Sequence, residues 1–492
     1  MRVARFLTAL ALSTSLIAGC GGDDTRLLSD AGRPLDAGSR DASASDAGAF
    51  DAGAFDAGEP SDASASDAGA ADGGGPVDAG AGTRIDSLVA RIADPAATAA
   101  DGDAVLAEVA FAEGWPVAEA GRWLFATRWD DTPGDVAFVS DVNAWAPLAA
   151  PATHAAGTGL WWVVVDESTF AVPAVGAKYK WYGRGDVYRA PPEATAYGFD
   201  AFHEHGWVRP PTTAPHLERF PAFHSTHVGP DRALRAWLPA GFVARSTGAA
   251  AMRTLLLHDG QNVFDPDSTW GGWHVDDTLV SAGYTDVVAL AVDSVSDRFD
   301  AYTHVADDIG SGALVGGRAD DYLAMLHDEV LPFFRARYGI VATGRSLMVM
   351  GSSLGGLVSL YQAMTAPSDQ ACVAAMSSTL GWGALAPALS GMDALVRRWA
   401  GHGATAIYLD SGGSVTGTCN DPDGDGVFED STDLDSYCAT VQMRDRLATL
   451  GYAFGTDLTH WWEPGAMHNE AAWAARVDRA LTACSASGWV AP

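Results

Sequence analysis

The run Leu347-Met-Val-Met-Gly-Ser-Ser-Leu-Gly-Gly-Leu-Val-Ser-Leu360 decides the architecture. Its first four residues are apolar without alternation, the pattern of a strand covered on both faces. The strand passes directly into Gly351-Ser352-Ser353-Leu354-Gly355-Gly356, and a helical pattern follows to Ala366. Strand, Gly-x-Ser-x-Gly and helix in immediate succession form the sharp turn that lifts a serine hydroxyl above the end of a sheet, with small residues on either side because nothing larger fits. Ser353 takes the central position. Ser352 is the competing serine but stands one place too early.

A serine hydroxyl is a weak nucleophile without a base beside it. On sheets of this kind the histidine comes last in chain order. The candidate is His468, in Glu463-Pro-Gly-Ala-Met-His468-Asn, a loop just ahead of the final helical segment. The remaining histidines lie in the N-terminal region, the Pro-rich joint or loops upstream.

Outward from the elbow, apolar strands alternate with longer helical segments. Strands are expected at 233–238, 254–258, 287–292, 346–350, 373–377 and 405–409, and helices at 319–338, 356–366, 436–450 and 470–484. This pattern predicts an α/β fold, a doubly wound sheet with both faces covered, over residues 217–490. A Pro-rich joint, Arg209–Pro215, precedes it. Residues 84–210 begin with a short amphipathic helix (Ile85, Leu88, Val89, Ile92). They continue with strand-like runs at Ala104–Phe111, 123–126, 135–139, 160–165 and 177–182, which predict a small all-β sandwich.

Residues 21–83 repeat Asp-Ala-Gly and have almost nothing to bury, so a disordered, extended linker is expected. In residues 1–20, Arg2 and Arg5 precede an apolar stretch too short to span a bilayer, ending Leu16-Ile-Ala-Gly-Cys20. That ending resembles the lipobox of bacterial lipoproteins. The resemblance implies lipidation of Cys20 and a membrane-anchored protein of the cell envelope or extracellular space. The net charge of −32 over 492 residues argues against nucleic acid as a partner. Four cysteines remain for an oxidising compartment, and three pairings are possible. The expected one joins Cys419 to Cys438, closing a short loop, and Cys372 to Cys484, tying the last helix to the core.

The C-terminal region resembles the esterase family that includes enterochelin esterases, feruloyl esterase modules and S-formylglutathione hydrolases. The resemblance rests on Leu256-Leu-His-Asp-Gly-Gln-Asn-Val-Phe-Asp265, Trp270-Gly-Gly-Trp273, Asp297-Arg-Phe-Asp-Ala-Tyr-Thr303, the elbow, Tyr408-Leu-Asp-Ser-Gly-Gly413 and the His468 segment, all in family order. It implies an α/β-hydrolase acting on carboxylic esters, small or polysaccharide-linked, with no cofactor for catalysis. It also implies an oxyanion hole from the N–H groups of Leu354 and Gln261. The triad acid is a choice of Asp435, then Asp433, then Asp410, because an insertion, Ser414 to about Asp433, interrupts the region where the family carries it. The N-terminal strands, with Trp145, Trp161 and Trp181, resemble early-set immunoglobulin-like domains, where such tryptophans either stack on a sugar or pack in the core. Within the insertion, Asp421, Asp423, Asp425 and Asp430 resemble a calcium loop, with Gly426 at the sharp turn, although no helix pair flanks it. A structural calcium is one expectation and a solvated acidic loop the other. Trp270, Trp273, Trp461 and Trp462 could wall an acyl or aryl pocket or equally be core. Two further readings stay open: an acyltransferase of the same fold moving acyl groups to a sugar or other alcohol, and a glycan-binding surface lipoprotein with an inert hydrolase domain.

Overall fold

Strand Arg253–His258 shows why the sheet is covered on both sides. Leu256 packs into one apolar cluster, with Val288, Leu290, Val349 and the helix residues Leu357 and Val358. Leu255 and Leu257 pack into a second, with Met348, Met350, Val477 and Leu481. Alternate side chains of one strand therefore feed two cores, which an uninterrupted apolar run requires. The computed structural model describes residues 82–129, 136–268, 271–309, 311–385, 391–413, 419, 421, 424–428 and 435–492. Segment 1–20 with Cys20, tail residues 21–81, Trp270, Asp423, Asp430 and Asp433 lie outside the described residues.

The large sheet runs, from one edge, through Leu458–Trp462, Ala406–Ser411, Gln370–Met376, Gly344–Ser352, Arg253–His258, Val287–Val292, Arg232–Leu238, His216–Phe223, Ala196–Asp200, His203–Trp207, Lys178–Gly183 and Ala137–Ser140. The first six are parallel. From Arg232–Leu238 onward every pairing is antiparallel, so the sheet is mixed. Chain order doubles back around Gly344–Ser352 and Arg253–His258, and ligands of open α/β sheets bind at the carboxyl ends of strands near such a reversal. Register aligns those ends: Ser352 lies opposite Met376, Met376 opposite Asp410, and Ser411 opposite Trp462.

Residues 84–210 share the large sheet with the residues that follow. Leu217 pairs with Tyr197 and Glu218 with Ala196, so hydrogen bonds carry the sheet across the Pro-rich joint, and the described residues fall into one compact unit. A second, four-stranded sheet contains Val117–Glu119, Arg122–Arg128, Leu160–Asp166 and Thr153–Ala155. It faces strands Ala137–Ser140 and Lys178–Gly183 through Trp123, Phe125, Phe138, Tyr179 and Trp181. Trp181 is fully buried there and packs in the core.

One element differs from its expected form. Ala104–Phe111 is not a strand but part of a helix, Ala99–Ala112. Thr98 and Asp101 form a reciprocal capping box at its start. The apolar contacts recur at i and i+4, Val105 and Val109, both buried against Leu124 and Leu160 of the four-stranded sheet. Alanine, the best helix former, supplies the rest. Both expected disulfides are present, Cys372–Cys484 and Cys419–Cys438. The first ties Gln370–Met376, the neighbour of the strand Gly344–Ser352, to the last helix, Val477–Ala486.

Candidate active site

Ser353 sits at φ 55°, ψ −122°, between strand Gly344–Ser352 and helix Leu354–Thr365. A non-glycine residue rarely adopts this backbone, and it persists only where its surroundings hold it. Here they do. The Ser353 N–H donates to the Met376 carbonyl at 3.0 Å, and the Thr379 N–H donates to the Ser353 carbonyl at 3.1 Å. The flanking glycines are steric necessities: a Cβ on Gly351 would lie 2.5 Å from the Gly355 carbonyl oxygen, and one on Gly356 would lie 2.2 Å from Ser378 Oγ. The Ser353 hydroxyl stands 3.2 Å from the Thr379 hydroxyl. Ser352 belongs to the strand and is buried, so the elbow residue is Ser353.

The residue after Met376 leads to the other half of the site. Ser377 Oγ donates to Asp435 Oδ2 at 2.8 Å, and the Gly412 N–H donates to the same oxygen at 2.7 Å. Asp435 Oδ1 lies 2.5 Å from His468 Nδ1. A ring nitrogen facing a carboxylate is the protonated one, which leaves Nε2 as the basic nitrogen of a neutral imidazole. The histidine loop is stitched to the end of strand Ala406–Ser411. Glu463 N–H donates to the Ser411 carbonyl (2.9 Å), Gly413 N–H to the Ala466 carbonyl (2.9 Å), and the Trp462 indole to the Gly412 carbonyl (3.0 Å). Gly412 admits no side chain, since a Cβ would lie 2.3 Å from the Ala466 oxygen.

Of the two described aspartates among the three candidates for the acid, Asp435 bonds to His468 and Asp410 does not. Asp433 lies outside the described residues. Asp410 is fully buried one layer deeper, accepting from the Tyr408 hydroxyl at 3.0 Å and lying 3.3 Å from Arg476 Nε. Burial pushes its carboxyl up to about 6, against the pull of the Arg476 guanidinium.

Leu354 and Gln261 meet the same region from two sides. Leu354 is the first residue of its helix, so its N–H has no intrahelical acceptor. In the turn Gly260–Asn262 the first internal bond runs from Asn262 N–H to the Asp259 carbonyl, which leaves the Gln261 N–H outside it. The Gln261 amide side chain is pinned by Ser294, donating to its Oγ at 2.8 Å and accepting from its N–H at 2.9 Å. Asp259 holds the turn from below through two bonds to Arg298, at 2.7 and 2.9 Å. Burial would raise the Asp259 carboxyl, but Arg298 holds it below the usual range. A Cβ on Gly355 would lie 3.1 Å from Asp259 Oδ2, so elbow and turn pack directly on each other. Trp273, fully buried, packs at a tilt against Trp473, centroids 5.8 Å apart, and Trp473 meets the His468 ring edge-on at 5.0 Å. Trp273 is therefore a core link between the turn and the histidine loop. Trp461 lies under the Arg479 guanidinium at 3.8 Å, and Trp462 packs on Tyr437 at 4.7 Å.

The motif reading did not single out Thr379, Ser377 or Arg476, which lie in runs without a motif. The available signal is Ser377-Ser378-Thr379, three hydroxyls directly after the apolar run Val373–Met376.

His258, at the end of the strand before the turn, is buried, and burial pushes it down to about 4. Its Nδ1 faces the Tyr322 hydroxyl at 2.9 Å. An unfolded histidine takes its proton near pH 6.5. Between pH 6.5 and 4 the unfolded chain therefore binds the extra proton, and stability falls as pH drops through that window. The contribution is intact above about 6.5 and is diminished by roughly 3 kcal/mol near pH 4. Urea titrations of His258→Asn and wild type from pH 7 to 4.5 check this: the wild-type midpoint falls more steeply than the variant's.

In the insertion, Asp421 directs its two oxygens to the Gly424 and Gly426 N–H groups, each at 2.8 Å, and Asp425 accepts from the Val427 N–H. Among the described residues no group of three or more His, Cys, Asp or Glu side chains could hold a metal ion. These bonds hold the two described carboxylates, Asp421 and Asp425, in a turn. Asp423 and Asp430 lie outside the described residues.

Residues 225–484 match the protein family described as Putative esterase. No curated protein matches the chain. Solved structures similar to it include the enterobactin esterase FES from Shigella flexneri, at 15% identity over 74% of this chain and 93% of that one, TM-score 0.39. A ferulic acid esterase is 14% identical over 56% of this chain and 99% of that one, TM-score 0.39. The S-formylglutathione hydrolase FrmB from Staphylococcus aureus is 15% identical over 55% and 97%, TM-score 0.37.

Proposed function

The chain belongs to the Putative esterase family and is a serine ester hydrolase, and we propose that it works through an acyl-enzyme on Ser353, with His468 as base and Asp435 as acid partner. The observation that carries this reading is the 2.5 Å contact between His468 Nδ1 and the buried Asp435 carboxylate, at the carboxyl ends of the parallel strands where the elbow turns. His468 Nε2 takes the Ser353 proton as Oγ attacks the ester carbonyl. Asp435 keeps the ring in the correct tautomer and stabilises the imidazolium. The Leu354 and Gln261 N–H groups receive the developing oxyanion, each contributing on the order of 3 kcal/mol to the rate. His468 then protonates the leaving alcohol, and water, activated by the same ring, releases the acid.

The substrate is a small-molecule ester. Residues 84–210 act as an early-set immunoglobulin-like spacer fused to the catalytic sheet. Burial of Trp181 supports a packing role for that tryptophan over a sugar platform. Cys20 carries a lipid and the enzyme works outside the cytoplasm. Two disulfides support that placement, since they persist in oxidising compartments. No step runs through a calcium ion.

A fluorophosphonate probe, which reacts with activated serines, tests the central claim. One equivalent is expected on the peptide that contains Ser353, with loss of p-nitrophenyl acetate hydrolysis in parallel. Inactivation with the label on another residue overturns it.

A further inference from the structure

Behind the Asp435–His468 pair runs a buried polar chain that the esterase reading does not need but the geometry builds. Arg476 lies at the break between helices Glu470–Ala474 and Val477–Ala486 and is 1% exposed. Its Nη2 lies 2.9 Å from Ser377 Oγ. A guanidinium has donors only, so Ser377 Oγ accepts this bond. The hydroxyl proton is then free for one purpose, donation to Asp435 Oδ2 at 2.8 Å. Without Arg476, a serine hydroxyl rotates to any acceptor in reach. Asp410 balances the Arg476 charge from the other side, 3.3 Å away. It also fixes Ser377 directly, since the Ser377 N–H donates to the Asp410 carbonyl at 2.9 Å. Ser377 has φ 41°, another position held by its surroundings.

We propose that Arg476 and Ser377 are positioning residues: Arg476 sets the direction of the Ser377 hydroxyl, which with the Gly412 N–H saturates Asp435 Oδ2 and leaves Oδ1 for His468. The inference rests on the roles proposed for Ser353, His468 and Asp435. It concerns orientation and charge distribution, since neither side chain meets the ester. The other ionisable groups around this chain include Tyr408 beside Asp410, Arg479 facing Tyr408, Glu470 on the helix after His468, and the Asp259–Arg298 pair facing Glu470. None of them bonds to Ser377 Oγ.

Removing the Ser377 donor concentrates carboxylate charge on Oδ1 and favours the imidazolium. For Ser377→Ala the acid limb of the kcat/KM profile moves to higher pH by about half a unit to one unit. Its kcat falls roughly tenfold or more as the imidazole loses its fixed orientation, with KM unchanged. Arg476→Met shifts both in the same direction, and the double variant is no slower than the slower single one, because the two side chains act through one hydroxyl. These profiles are measured on the full chain with p-nitrophenyl acetate, with circular dichroism to establish folding. If Arg476→Met does not fold, Ser377→Ala alone carries the test through its acid limb. A Ser377→Ala profile with wild-type kcat and acid limb overturns the proposal, as do kcat losses that multiply in the double variant. Ser353→Ala is run alongside. If it hydrolyses at the wild-type rate, the acyl-enzyme reading has failed. If it is inactive while Ser377→Ala matches wild type, only the positioning role has failed.

Discussion

Ser353→Ala lowers kcat by about 10⁵- to 10⁶-fold while the protein stays folded. Removal of the serine alone from a triad costs about as much as removal of all three members, because nothing else in the unit attacks the carbonyl. A residual acceleration of roughly 10³ over water remains from the oxyanion donors. Those donors survive the substitution: the Leu354 N–H is fixed by the helix start and the Gln261 turn by Ser294 and Arg298. Alanine keeps the two backbone bonds at position 353, so the turn keeps its shape. Ser352→Ala is the comparison that gives the result its meaning. Ser352 ends the strand opposite Met376, and its variant retains kcat within a few-fold of wild type. Equal losses in both variants point to a collapsed elbow rather than to a missing nucleophile.

Asp435→Asn carries the second largest effect, a fall in kcat of about 10³- to 10⁴-fold with a smaller change in KM. An amide at that position can donate to the imidazole, which turns the ring into the wrong tautomer and leaves no charge to stabilise the imidazolium. Asp410→Asn is the informative counterpart. That side chain faces Arg476 and Tyr408, not His468. Its loss removes the partner of a buried guanidinium and costs about 3 kcal/mol of stability or more, with a kcat loss at least tenfold smaller than that of Asp435→Asn. Steady-state kinetics and urea unfolding of the two variants separate them. The reverse pattern moves the acid to Asp410.

The parts of this protein legible without coordinates are those in which local geometry admits few residues. The elbow is one: a strand, a turn with no space for Cβ at Gly351 or Gly356, and a helix are written in consecutive residues. The histidine loop is another, since its place before the last helix is set by chain order. Asp435 was harder because its credentials are not local. They depend on the Gly412 N–H, 23 residues away, and the Ser377 hydroxyl, 58 away, with an insertion between strand and acid. Arg476 was out of reach for the same reason: its partners Asp410 and Ser377 come from two other strand ends. Ala104–Phe111 misled in the opposite sense. Its Val, Leu and Phe suggested a strand, while the capping box at Thr98 and the Val105–Val109 spacing encoded a helix.

The pairing of Ala196–Asp200 with His216–Phe223 makes the N-terminal residues the continuation of the catalytic sheet and not an attachment to it. A chain trimmed to begin at residue 217 would bare the backbone groups of Leu217, Glu218 and Arg219 that now pair with Thr195, Ala196 and Tyr197, the kind of margin on which strands of other molecules add. The strand Ala196–Asp200 thus covers that seam. A swivel between these residues and the catalytic strands would have to break that short ladder first.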